Sequence, residues 1–350
     1  MDKTSVIDDQ WPYIRTLLPA DLETSARDSG ALIRKRGVLS AEALLRMLLA
    51  YGLTDLSLKS VAAWAGALGL SELSAPGLFY RVRDAEMWLS GLLAGVLADE
   101  IAPPLKRGFR LRAVDATVVC GPGAKGTEWR LHTLSDPASG RLCAVQMTDA
   151  HGAEGYGLHP ARKGDLVLGD RGYAYSGSIA AARRNGAEVI VRINPQTIRL
   201  CTSNRTLLRL GDHGDLVPKT GVIGWSLMMP VFPPKRGTKS RASWPLASAT
   251  EWIPVRVVAS RTREGRIIWV LTTERSGEVS DAEAMDLYRL RWQVELVFKR
   301  LKSLLWLDSL PSRQGPTARS WLLARLLAGA LAQRLLKPNG ALSPWGYVLR

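Results

Sequence analysis

Long apolar runs are missing from this 350-residue chain. No stretch of 18 apolar residues occurs, and the most apolar segment near the C-terminus is broken by Arg325 and Arg334, which argues against a membrane-spanning helix. No secretory leader is expected either, because Met1-Asp2-Lys3 with further acids close behind does not read as one. Cysteine is scarce: Cys120, Cys143 and Cys201 are scattered, odd in number and without metal-ligand spacing. That excludes a disulfide framework and a zinc cluster, and suits a reducing compartment. The four histidines, His132, His151, His159 and His213, fit neither a metal site nor a catalytic triad. Acid is in short supply relative to base. Asp and Glu number 32 against 47 Lys and Arg, for a net charge of +15 and a pI near 10.1. Such an excess draws polyanions, and without an apolar anchor the expected partner is nucleic acid rather than a membrane.

A chain of this length buries roughly 75% of its unfolded surface and supports several domains or one elaborated one. Residues 1–105 read as helical. Ser40–Tyr51 and Ser57–Gly66 are two helices across a short break, followed by Ser74–Arg83 and the apolar Glu86–Leu97. Short helices joined by a Gly-containing turn, with Arg81 and Arg83 close by, suit either a helix-turn-helix DNA reader or an ordinary helical bundle. After Pro103-Pro104 the pattern becomes strands: Phe109–Val119, Glu128–Thr133 and Leu142–Thr148 form an expected three-strand meander. Gly164–Asp170 is then an apolar strand ending in an acid, Ser176–Asn185 a helix and Ala187–Ile193 a further strand. Three hairpin strands followed by strand–helix–strand predict a ribonuclease H-like α/β core, residues 106–193 forming its first part. Residues 194–266 lack helical periodicity and are too long for a loop, so they read as an inserted β subdomain. Residues 267–338 complete the core, and 339–350 are a tail.

Asp281–Leu305 has neither Gly nor Pro, and Ser280 with Glu283 predicts a capping box. Leu287, Leu290, Val294, Val297, Phe298 and Leu301 share one helical side. Tyr288, Arg291, Glu295 and Lys302 line up beside that stripe, within about 60° of one another. Taken alone, such an edge fits a solvated ionic face. Asp115 lies in the first strand among Val114, Ala116 and Val118, where a carboxylate is costly without a counter-charge. Asp170 sits at a strand end, where many an Asp merely caps a turn. Three carboxylates from distant segments can hold two divalent ions about 3.5–4 Å apart for in-line phosphoryl displacement, and Mg²⁺ suits oxygen ligands.

The spacing Tyr288-x2-Arg291-x3-Glu295-x6-Lys302 resembles the signature of DDE-type cut-and-paste transposases of bacterial insertion sequences, in the Tyr-Arg-Glu-Lys group of insertion sequence family four. Asp170-Arg-Gly-Tyr173 resembles a second motif of the same family. The likeness covers about residues 109–305. It implies that Asp115, Asp170 and Glu295 bind two Mg²⁺ ions, with Mn²⁺ as a substitute, and catalyse DNA cleavage and strand transfer. It implies that Tyr288, Arg291 and Lys302 lie on double-stranded DNA, that the second strand is cut through a hairpin, and that a homodimer holds two transposon ends before joining them to target DNA. A cytoplasmic, nucleoid-associated bacterial protein is the matching location. Trp269, on the strand before the signature helix, is expected to stack on a flipped base or to pack beneath the sheet, and Arg81 and Arg83 to bind DNA from the N-terminal part. Two alternatives stay open at this point: a ribonuclease H-like nuclease that cuts without joining, and a domesticated DNA-binding protein with a dead site.

Overall fold

The structure is a computed structural model that describes residues 11–98, 108–121, 127–233, 244–275, 277–292, 310 and 315–335. The chain divides into two compact units: Met1–Ile101 with Val118–Arg130 and Phe298–Leu342, and Ala102–Thr117 with Leu131–Val297 and Ser343–Arg350.

The first unit is helical. Its elements are α1 (Leu22–Asp28), α2 (Ala41–Leu53), α3 (Leu58–Ala67), α4 (Ala75–Asp84) and α5 (Glu86–Ala98). Each of α2, α3 and α4 starts on a serine, Ser40, Ser57 or Ser74, whose hydroxyl accepts from a backbone N–H three residues on. That satisfies one of the donors every helix start leaves open. A long helix near the C-terminus, here α8 (Gly315–Leu335), packs on α2, α4 and α5. It lies so close to α2 that a Cβ on Gly52 would sit 3.0 Å from Ala324 Cβ. Arg319 bonds Glu86 at 2.7 Å, and the buried Arg325 lies over the Trp321 ring. This helix belongs to residues 267–338, expected to complete the core, and in the structure its apolar faces pack within the helical unit.

The second unit is built on one mixed sheet. Its strands, apart from the last residues of β1 and the first of β2, which fall in the first unit, are β1 (Arg110–Cys120), β2 (Thr127–Asp136), β3 (Arg141–Asp149), β4 (Asp165–Gly169), β5 (Glu188–Arg192), β6 (Leu200–Cys201), β7 (Leu207–Leu208), β8 (Val222–Val231), β9 (Glu251–Arg261) and β10 (Ile267–Thr272). Their order is β3-β2-β1-β4-β5-β10-β9-β8-β6-β7. β4 runs parallel to β1 and to β5, and α6 (Ser176–Arg184) makes the crossover between β4 and β5. Every residue of β4 is buried, which is why it reads as a continuous apolar run. The segment 194–266, expected as a separate β subdomain, extends this sheet: β9 pairs along the whole of β10, and β8 along β9. Val167, Val189, Val191, Val257 and Leu271 lie in the core beneath it.

The signature helix begins where expected. In α7 (Asp281–Arg289) the Ser280 hydroxyl accepts from Glu283 N while Ser280 N donates to Glu283 Oε2 at 2.9 Å. The helix tightens into a 3₁₀ turn at Leu290–Trp292, and the remainder of the expected span lies outside the described residues.

Candidate active site

The parallel pairing of β1 with β4 positions the acids. Ala113 is opposite Leu168, so continuing the register by two residues sets Asp115 beside Asp170. Both then lie at the carboxyl end of a parallel pair, where ligands of open α/β sheets are held. Asp115 Oδ1 accepts from Ala116 N at 2.8 Å. Asp170 caps the 3₁₀ turn Arg171–Tyr173, its Oδ1 accepting from Gly172 N at 2.8 Å.

Electrostatically this corner is under tension. Burial pushes the Asp115 carboxyl up to about 6, with Asp170 and Glu154 adding to the rise and the Ala116 N–H and Arg291 opposing it. Glu154 was not singled out from the sequence. It occupies the space above Gly172: a Cβ there would overlap Glu154 Oε2 and come within 3.1 Å of Asp170 Oδ1. Gly172 therefore lets two carboxylates crowd one turn. The only sequence signal for Glu154 is a lone acid between glycines ahead of β4, which is weak.

Aromatic rings form the floor. Tyr156 and Tyr173 are fully buried with centroids 5.3 Å apart, and His159 lies 5.9 Å from Tyr173. Burial above all raises the Tyr173 phenol, and Glu154, Asp115 and Asp170 raise it further; the Tyr156 phenol rises for the same first cause. Both hydroxyls stay protonated. Neither they nor His159 Nε2 have a hydrogen-bond partner among the described residues. Gly169, just before Asp170, makes room for the Tyr156 hydroxyl, which a Cβ would overlap.

Of the signature edge, Tyr288 is buried on α7 and Arg291 is half-buried, its guanidinium 5.9 Å from the Tyr288 ring centroid. Arg291 reaches Asp115 electrostatically, so two parts of the expected site meet. Glu295 and Lys302 lie outside the described residues. Among the described residues no group of three His, Cys, Asp or Glu could hold a metal ion.

Three further residues expected on DNA, Trp269, Arg81 and Arg83, lie in different settings. Trp269 is 5% exposed and stacks on Trp225 at 5.4 Å, so receiving a base would require it to leave that stack. Arg81 donates to the carbonyls of Arg34 and Arg36 instead of standing free. Arg83 is exposed, bonded to Asp84 at 2.7 Å and laid over the Tyr80 ring.

Known proteins share this chain's pattern. A protein-family model described as Transposase DDE domain matches residues 106–331. A protein of Escherichia coli (strain K12) named as the InsL transposase of insertion sequence element IS186A is 34% identical over 360 residues, spanning 95% of each chain. The transposase for insertion sequence element IS421 of Escherichia coli is 34% identical over 361 residues, again 95% of each. Among solved structures, the piggyBac transposase synaptic complex with hairpin DNA aligns with 85% of this chain and 67% of its own, at TM-score 0.43 and 7% identity.

Proposed function

The chain belongs to the Transposase DDE domain family and is a DNA-cleaving and joining enzyme; from that premise we propose that Asp115, Asp170 and Glu295 are its catalytic carboxylates. We place it in the Tyr-Arg-Glu-Lys group of insertion sequence family four, moving its element by cut-and-paste. The observation that carries the proposal is the register of β1 on β4, which sets Asp115 against Asp170 at one end of a parallel pair. The strand order β3-β2-β1-β4-β5, with β4 parallel to both neighbours, supports a ribonuclease H-like core.

The donor set is all oxygen and fits a hard cation such as Mg²⁺, with Mn²⁺ as a substitute. A carboxyl raised to about 6 beside two further acids has the charge surplus that a divalent ion neutralises. When bound, two such ions activate the attacking water or 3′-hydroxyl and stabilise the leaving oxygen. The chain's own groups do the rest. Asp115 and Asp170 would hold the ions at the end of the strand pair, and the two buried tyrosines close the floor against water. Arg291, beside Tyr288, offers a planar fork to a phosphate of the transposon end, and Lys302 a second cation. A homodimer would bring two ends together on target DNA. Among the described residues no helix is long and apolar enough to cross a membrane, which accords with action on DNA in the bacterial cytoplasm.

The test uses full-length protein, a duplex carrying the element's end and a divalent metal. Alanine at Asp115, Asp170 or Glu295 should abolish cleavage while leaving duplex binding intact. Wild-type cleavage by any one of the three would remove that residue from the assignment. Pre-cleaved ends then ask about joining alone: strand transfer by the wild type, lost in the same variants, is expected, and cutting without joining would reduce the activity to that of a nuclease.

A further inference from the structure

We propose that the loop Arg34-Lys35-Arg36 grips the DNA backbone and that Arg81 is the residue holding it in shape. The inference rests on the DNA-joining reading above but concerns a surface outside the matched family region. The loop leaves α1 after Gly30, whose φ is +81°. It is anchored at both ends by buried residues, Leu32 and Val38. Between them Ile33, Arg34, Lys35, Arg36 and Gly37 are all exposed.

An exposed basic loop is ordinarily mobile and contributes little, because ordering it on binding costs entropy. This one is already ordered. Every carbonyl from residue 34 to residue 37 accepts a hydrogen bond. Arg81 Nη2 donates to Arg34 O at 2.6 Å and to Arg36 O at 3.4 Å. Val38 N donates to Lys35 O at 2.5 Å. Gly37 O takes the Ser71 hydroxyl at 2.6 Å and Glu72 N at 2.9 Å. Gly37 itself has φ +71° and lies against Leu73, where a side chain would be both strained and crowded. With the backbone tied inward, the three cationic side chains are left to the solvent.

The charges are arranged against stability. Lys35 pairs with Glu23 at 3.6 Å, but Arg34 and Arg36 have no acidic partner among the described residues. Arg81 is set beside Arg36, a like charge, and the acid that reaches it, Asp84, is already bonded to Arg83. A loop selected for stability alone would carry an acid there. A polyanion with evenly spaced phosphates relieves the repulsion and meets a surface already in its bound shape. Duplex DNA is the polyanion this enzyme handles. Arg81 thereby changes from a contact to a positioning residue.

The experiment follows binding of a fluorescein-labelled duplex of arbitrary sequence to the full-length protein by anisotropy across salt concentrations. Each phosphate contact contributes about 0.9 to the slope of log K against log salt. The double variant Arg34→Gln/Arg36→Gln should lose about 1.8 of that slope while melting at the wild-type temperature. Arg81→Gln should weaken binding in the wild-type background and add nothing in the double variant, since it acts through the loop. An unchanged slope in a normally folded double variant would overturn the loop assignment. A further loss of about 0.9 on adding Arg81→Gln to it would make Arg81 a direct contact and overturn its positioning role. If the wild type itself binds duplex with no salt dependence, the DNA reading fails along with this one, so the two failures are distinguishable.

Discussion

The two ends of the β1–β4 pair treat acid in opposite ways. At the amino end Asp165 is 2% exposed, yet it is surrounded by counter-charge. Arg110 Nε bonds it at 2.8 Å, Arg112 Nε lies at 3.9 Å and Arg162 N donates to its second oxygen at 2.9 Å. At the carboxyl end, just past β4, Asp170 and Glu154 raise the Asp115 carboxyl, and the Ala116 N–H and Arg291 oppose them. One pair of strands thus carries an acid held by two arginines and, at its other end, an acid whose carboxyl is raised by burial and by two neighbouring acids. The first arrangement is what a fold does with a carboxylate it needs for structure. The second, a carboxyl raised by burial and by neighbouring acids at the end of a parallel pair, is the kind of arrangement that marks reactive sites.

The largest effect expected from breaking this contrast is at the reactive end. Asp115→Asn should lower DNA cleavage by at least about 10³, equivalent to about 4 kcal/mol. The melting temperature should hold or rise, because a repelling charge has gone; a melting temperature several degrees lower would mean that Asp115 is structural like Asp165. The reverse experiment is Asp165→Asn. Stranding the half-buried Arg110 and the buried Arg112 without their acid should cost about 3 kcal/mol of stability in denaturant titration. Cleavage per folded molecule should be unchanged, and a selective loss of activity would erase the division of labour between the ends.

A smaller change sharpens the comparison beneath Asp170. Gly169→Ala forces a methyl into the Tyr156 hydroxyl, and a ring in a filled core cannot move aside cheaply. About 2 kcal/mol of destabilisation is expected, read from the shift in denaturation midpoint; no shift would mean the floor is loosely packed. The effect that is smallest near neutral pH, and grows only on acidification, is the one carried by His159. Burial, and secondarily His132, hold the His159 imidazole down at about 3, against about 6.5 in the unfolded chain. Between those values the unfolded state takes up a proton that the folded state refuses. Stability from this group is therefore full above about 6.5 and falls as the pH drops below it, by up to about 1.4 kcal/mol per unit. His159→Leu should flatten that part of the melting-temperature profile, and a profile with the wild-type slope would mean that the imidazole is solvated.

Much of this layout is local and therefore legible in the chain. Ser40, Ser57, Ser74 and Ser280 mark helix starts because capping needs only neighbouring residues. The apolar run of β4 betrays a strand buried on both faces, and its terminal Asp170 stands out against that run. What depends on distant partners is not legible. The strand pattern of residues 194–266 says nothing about which edge the strands join, so a continuous sheet looked like a separate body. Trp269 alternates with Ile267 and Leu271 on one strand face, and only the fold reveals that Trp225 covers it. Glu154 has no periodicity to mark it. Its meaning comes from Gly172, across a turn in a different part of the chain.

The placement of α8 on α2, α4 and α5 has a consequence for how the molecule is made. The N-terminal helices leave the ribosome first, but the helix that fills their core is translated only after the whole sheet. A nascent chain therefore carries an unfinished helical unit throughout the synthesis of its catalytic strands, with α2 and α5 exposing apolar faces until α8 arrives. Premature termination before Gly315 would leave that unit open to chaperones and proteases. Closing the helical unit thus waits on synthesis as far as α8.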